Sequence, residues 1–194
     1  MRRSRSIVVT IAAGLVLAGC GGGDTSSSAS PTPSRSGPTA TSSDGSPVTS
    51  SCAGKHGDGK GAELSTVELK ILGENLQVTY HTEEPVPTDE TVLYTVDAWD
   101  MYGKTGYQLG TEINRRGQES QYVLAYPDKT RTDVQSQPQS TGTTLVATYP
   151  LAMMNSLGKK FQWSGTVKIG ADPADSCPAV GGDPLQPNRV IFTR

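Results

Sequence analysis

The chain is 194 residues long, and its 17 lysines and arginines are nearly matched by 19 aspartates and glutamates. A net charge of −2 with no basic stripe argues against nucleic acid as a partner. No segment repeats at intervals of roughly 20 to 50 residues, which sets propellers and solenoids aside.

The first element is Arg2, Arg3 and Arg5 followed by an apolar run from Ile7 to Ala18. That run has the length of a signal-peptide core and falls short of the roughly 20 residues a membrane-spanning helix needs. Ser4-Arg5-Ser6 stands where a twin-arginine signal would continue into apolar residues, so the general export route is expected. The run ends in Leu17-Ala18-Gly19-Cys20. This stretch resembles the lipobox of bacterial lipoproteins: a branched apolar residue and two small ones that let a peptidase approach, then the cysteine. The resemblance implies that residues 1–19 are removed and that the Cys20 thiol takes a diacylglycerol. Cys20 would then be the mature N-terminus, acylated again on its amine where the organism has that enzyme. The protein is therefore expected at the cell membrane, lipid-anchored and facing out of the cytoplasm. Each buried methylene contributes about 0.8 kcal/mol, so one acyl chain binds marginally and two or three hold firmly.

Removing the leader takes three cations and no carboxylate, leaving 14 lysines and arginines against 19 acids. Such a mildly acidic chain is poorly suited to lie on anionic lipid, so tethering is expected from the anchor rather than the surface. Residues 21–50 contain ten Ser, five Thr, five Gly and four Pro, too little apolar area to offset the entropy of ordering. Residues 20–51 are thus expected to be a disordered linker, a coil with ends about 30 Å apart. Its composition also suits sugar attachment.

Residues 52–194 are long enough for one domain with a real core. They hold the other two cysteines, Cys52 and Cys177. In an oxidising compartment two cysteines make one bridge, and no further ligands are spaced near them for a metal.

Apolar residues then alternate with period two. Val67, Leu69 and Ile71 face one way; Gly73-Glu74-Asn75 turns the chain into Leu76, Val78 and Tyr80. After the Pro85 and Pro87 loop, Val92, Tyr94, Val96 and Ala98 oppose Leu93, Thr95, Asp97 and Trp99. Further strands are predicted over 107–114, 121–126, 129–134, 143–149, 161–169 and 189–193. Pro150 to Leu157, stopped by Gly158, predicts one short helix. Short strands with frequent turns and almost no helix predict an all-β antiparallel β-sandwich.

His56-Gly57-Asp58-Gly59 with Glu63-Leu64-Ser65-Thr66-Val67-Glu68-Leu69, the YTVDAWD strand, and Phe161-Gln162-Trp163 leading to ADPADSCP resemble DOMON-like and family-9 carbohydrate-binding β-sandwich domains. Those families often carry Asp-Ile where this chain has Glu63-Leu64. The resemblance implies a sandwich fold and, among the carbohydrate-binding modules, a bound calcium; β-sandwiches host many functions.

Chemistry-bearing residues are sparse. His56 and His81 lack zinc-motif spacing, and no G-x-S-x-G elbow is present. No catalytic residue and no cofactor is assigned. Asp97, Asp100, Asp172, Asp175 and Asp183 offer oxygens to a structural calcium, or serve as turn formers and solvated strand residues. Trp99, Tyr102 and Tyr107 form a candidate ligand platform, since such rings join apolar area to a polar handle. Trp163 and Phe161 are expected in the core. These features point to a non-enzymatic binding module for cell-wall glycan or an exported protein. The alternatives are a carrier of a small apolar ligand or metal, and a hydrolase.

Overall fold

The computed structural model describes residues 48–54, 63–126, 128–178 and 188–194. The leader, Cys20 and most of the linker lie outside the described residues, as do His56 and Asp183.

Two antiparallel sheets form the domain. The smaller has the order β1-β2-β3-β9-β8, from Thr49–Ala53, Leu64–Leu72, Asn75–Thr82, Thr144–Pro150 and Gln139–Thr141. The larger runs β11-β10-β4-β5-β6-β7, from Asp172–Cys177, Lys160–Ile169, Val92–Asp100, Gly106–Ile113, Glu119–Tyr126 and Thr130–Val134. The last strand, β12 (Val190–Thr193), pairs with β10 beside β11. The predicted all-β antiparallel fold is the observed one.

Alternation explains the layers. In β3, Leu76, Val78 and Tyr80 are buried while Asn75, Gln77, Thr79 and His81 are partly exposed. In β4 the inner residues are Val92, Tyr94, Val96 and Ala98, all fully buried. A two-residue slip would leave this pattern intact, but a single-residue slip would turn the whole row outward, which fixes the register. The β2–β3 turn closes on Gly73 at φ 58°, a conformation that costs glycine nothing. The predicted helix is a 3₁₀ helix, Leu151–Leu157, which buries Met154 and Leu157.

The sandwich is closed differently along its two edges. On one, the Cys52–Cys177 disulfide joins β1 to β11, with Cα atoms 5.6 Å apart. Beside it the Leu64 amide donates to Asp175 Oδ2 at 2.9 Å, and Trp163 Nε1 donates to Ser50 Oγ at 3.1 Å. On the other edge Gln121, 2 % exposed, spans the layers: its Nε2 donates to the Ser136 carbonyl and its Oε1 accepts from the Thr148 amide.

Three strands escape sequence reasoning. β1 begins at Thr49, within the segment read as linker, and turns only Cys52 fully inward. β8 is three exposed residues, and β11 carries Pro173 and two aspartates that read as a loop. Each is held by its neighbour's ladder rather than by its own apolar pattern; β11 accommodates Pro173 at a register irregularity against β10.

Candidate functional site

The outward side of the larger sheet is unlike an ordinary solvated face. Strand pairing sets Trp99 opposite Gly106 and Gly106 opposite Tyr126, so two rings stand on either side of a glycine. They meet over it, centroids 5.1 Å apart and planes within 6°. A Cβ on Gly106 would lie 2.5 Å from the Trp99 ring, so only glycine lets the pair close. The same device recurs four residues along the strand. Tyr122 lies across Gly110, where a Cβ would fall 2.1 Å from its ring. A glycine inside a strand marks such a close approach.

Between these aromatics sits Asp97, half-buried. Its Oδ1 accepts from Gln108 Nε2 at 3.2 Å, and Gln108 Oε1 accepts from the Tyr122 hydroxyl at 3.0 Å. Burial pushes the Asp97 carboxyl above the usual carboxylate range, against the lowering pull of the Gln108 amide and of Lys168 and Arg189. Burial, then the Asp97 charge, pushes the Tyr126 phenol up to about 12. The Arg189 guanidinium stands over the Trp99 ring at 5.3 Å, and that of Arg131 over Tyr122 at 4.1 Å. Thr95 and Ser164, on the same side, are each 1 % exposed, and Thr95 shares a 2.6 Å hydroxyl contact with Thr166.

The predicted platform of Trp99, Tyr102 and Tyr107 does not assemble. Tyr107 pairs with Ala98, faces the core and is 8 % exposed, because it is one residue out of phase with Gly106. Tyr102 stands 85 % exposed in the β4–β5 loop. Asp100 holds that loop: its carboxylate accepts from the amides of Tyr102, Lys104 and Thr105 at 2.9 to 3.0 Å. Those backbone donors hold the Asp100 carboxyl below its ordinary range. Asp100 is therefore a turn organiser, as its place beside Gly103 suggests.

Asp97 and Asp100 sit three residues apart, on opposite sides of the strand, and are not brought together. Asp172 and Asp175 belong to β11, where Asp175 caps the Leu64 and Ser176 amides. Among the described residues no three His, Cys, Asp or Glu side chains gather to hold a metal. His81 lies on the outer side of the smaller sheet, its Nδ1 3.3 Å from Thr144 Oγ1.

Tyr126, Tyr122, Gln108 and Arg189 were missed in the sequence. The available signal was the pair Gly106 and Gly110 at every-fourth spacing within a strand. Comparison with protein-family models, curated proteins and solved structures finds no match to this chain.

Proposed function

We propose that the protein is a lipid-anchored extracytoplasmic lipoprotein whose sandwich is a non-enzymatic binding module, and that the outer side of the larger sheet takes a glycan. The anchor rests on the lipobox ending at Cys20 and the Ser/Thr/Pro/Gly stretch behind it. The ligand class rests on one observation: a hydrogen-bonded Tyr122–Gln108–Asp97 chain beside the Trp99–Tyr126 stack. Sugars present C–H faces to aromatic rings and hydroxyls to carboxylates and amides, so a rigid array of both kinds suits them. The rings are pre-positioned by strands rather than loops, which lowers the ordering cost of binding.

Trp163 is fully buried, so ligand-dependent tryptophan emission reports on Trp99. Titration with muropeptides and oligosaccharides is expected to shift that emission, and Trp99→Ala to abolish the shift. A flat response to every glycan removes the ligand assignment. Cys20→Ala is expected to release the protein from membranes washed at 1 M salt or stall its precursor; a mature N-terminus whose mass carries no diacylglycerol on Cys20 removes the anchor.

A further inference from the structure

The two ends of the sandwich differ in chemistry. At one end the chain enters at Val48, and the β2–β3 turn, the β4–β5 loop, the β6–β7 turn and the start of β10 lie there too. The register shows it: Thr49 is opposite Lys70, Phe161 opposite Asp100, and Ala125 opposite Thr130. The Ser50–Trp163 hydrogen bond joins these levels across the layers, and the 3₁₀ helix carries the chain between them from Pro150 to Lys160.

All four large apolar side chains that stand exposed among the described residues are at this entry end: Val48, Leu72, Tyr102 and Ile191, at 39, 40, 85 and 52 %. So are five of the six lysines among the described residues: Lys70, Lys104, Lys129, Lys159 and Lys160. Glu74, Asp100 and Asp128 are the carboxylates beside them, and Asp100 is engaged by its own loop. The opposite end is acidic, with Glu63, Glu83, Glu84, Asp89, Glu90 and Asp172 in its loops and strand ends. Among the described residues, Arg115, Arg116 and Lys168 are the cations there. The mildly acidic balance of 14 cations against 19 acids, which by itself predicts a surface poorly suited to anionic lipid, conceals this segregation.

We propose that the entry end is a docking surface for an anionic lipid headgroup layer. Lysines around an exposed tyrosine and aliphatic side chains match such a layer, which attracts cations and accommodates amphipathic rings at its interface. The occupant is argued from charge complementarity and from the chain that leads to this end. Val48 is the first described residue, and Cys20 lies 28 residues before it. On the reading that Cys20 is acylated, a coil of that length spans about 30 Å and keeps the entry end at high effective concentration near the bilayer. A weak surface affinity is then enough to set the domain end-on.

The test uses the mature chain carrying Cys20→Ser, unacylated, with vesicles of phosphatidylglycerol and phosphatidylcholine in equal parts and vesicles of phosphatidylcholine alone. Every strand of the two sheets lies within Thr49–Thr193, so the substitution at residue 20 touches none of them. Co-sedimentation is expected with the anionic vesicles only, and to vanish at 1 M salt, where the Debye length falls to about 3 Å. Each lysine near an anionic surface is worth about fivefold in partition, so Lys159→Glu/Lys160→Glu is expected to lose at least about 25-fold. Lys104→Glu/Lys129→Glu should do the same, Tyr102→Ser should lose less, and Glu83→Gln/Glu84→Gln should lose nothing. Equal binding to both vesicle types, or an unaltered partition of either folded lysine variant, overturns the proposal. So does binding to soluble polyphosphate without binding to vesicles. Because this chain carries no acyl group, the outcome is separate from the anchor reading, which is decided by the mass of the mature N-terminus.

Discussion

The inner and outer sides of the larger sheet are built from the same strands by opposite rules. Inside, Val96, Ala98, Leu109, Phe161 and Trp163 fill a core with little freedom to change. Outside, Asp97, Gln108, Tyr122 and Tyr126 form a thin second layer, part polar and part aromatic, seated on Gly106 and Gly110. The inner side is stabilised mainly by apolar burial, with the disulfide and the Gln121, Trp163 and Thr111–Tyr149 hydrogen bonds tying the layers across it. The outer side also holds a half-buried carboxylate whose ionised form the fold disfavours, a cost that makes sense where a partner is to be bound.

The comparison is broken most severely from within. Cys52→Ser and Cys177→Ser are each expected to lower stability by about 4–5 kcal/mol in the chain-entropy model, because the bridge closes a separation of 125 residues. Denaturant midpoints of the two variants should agree; a large loss in one alone would mean the bridge does not act as a unit. Trp163→Ala, at a site with no exposure, should cost about 3–5 kcal/mol by the same measurement. Trp99→Ala should cost much less, and equal losses would erase the distinction between the sides.

Smaller changes sharpen the outer layer. Gly110→Ala forces the Tyr122 ring aside, and overpacking of this kind costs about 1–3 kcal/mol. Pairing it with Tyr122→Ala should restore part of the loss, measured as a coupling in thermal melts. The smallest effect is expected at Asp97. Its folded pKa is raised, so the folded chain binds the proton more readily than the unfolded chain does. Stability is therefore lost as pH rises from the ordinary carboxylate value through the raised one. Asp97→Asn should melt at or above the parent temperature at neutral pH and lack that pH dependence. On the glycan reading it should also bind less. A variant less stable than the parent at pH 7 and unchanged in binding would assign Asp97 a purely structural role.

Much of this fold was legible. Period-two runs such as Val92 to Ala98 leave a strand no other way to bury its apolar side, and turn residues such as Gly73 mark where each strand stops. The disulfide was legible because two cysteines in a domain read as exported have each other as the obvious partner. The strands without such a pattern were not. β8 has no buried residue, and β11 reads as turn chemistry, so their pairing comes from a neighbour's open ladder. The aromatic platform was legible only in part: Trp99 had the correct parity, while Tyr107 follows Gly106 by one residue and therefore points inward.

By itself, the sequence determined the strand faces, the covalent bridge and the class of fold, because these follow from residues near one another in the chain or from a single pairing. Tertiary structure alone decided that Tyr126 and Trp99 meet, that Asp97 is shut in beside Gln108, and that lysines from five separate positions share one end. Those outcomes depend on strand order and register, where a shift of one residue exchanges inside for outside.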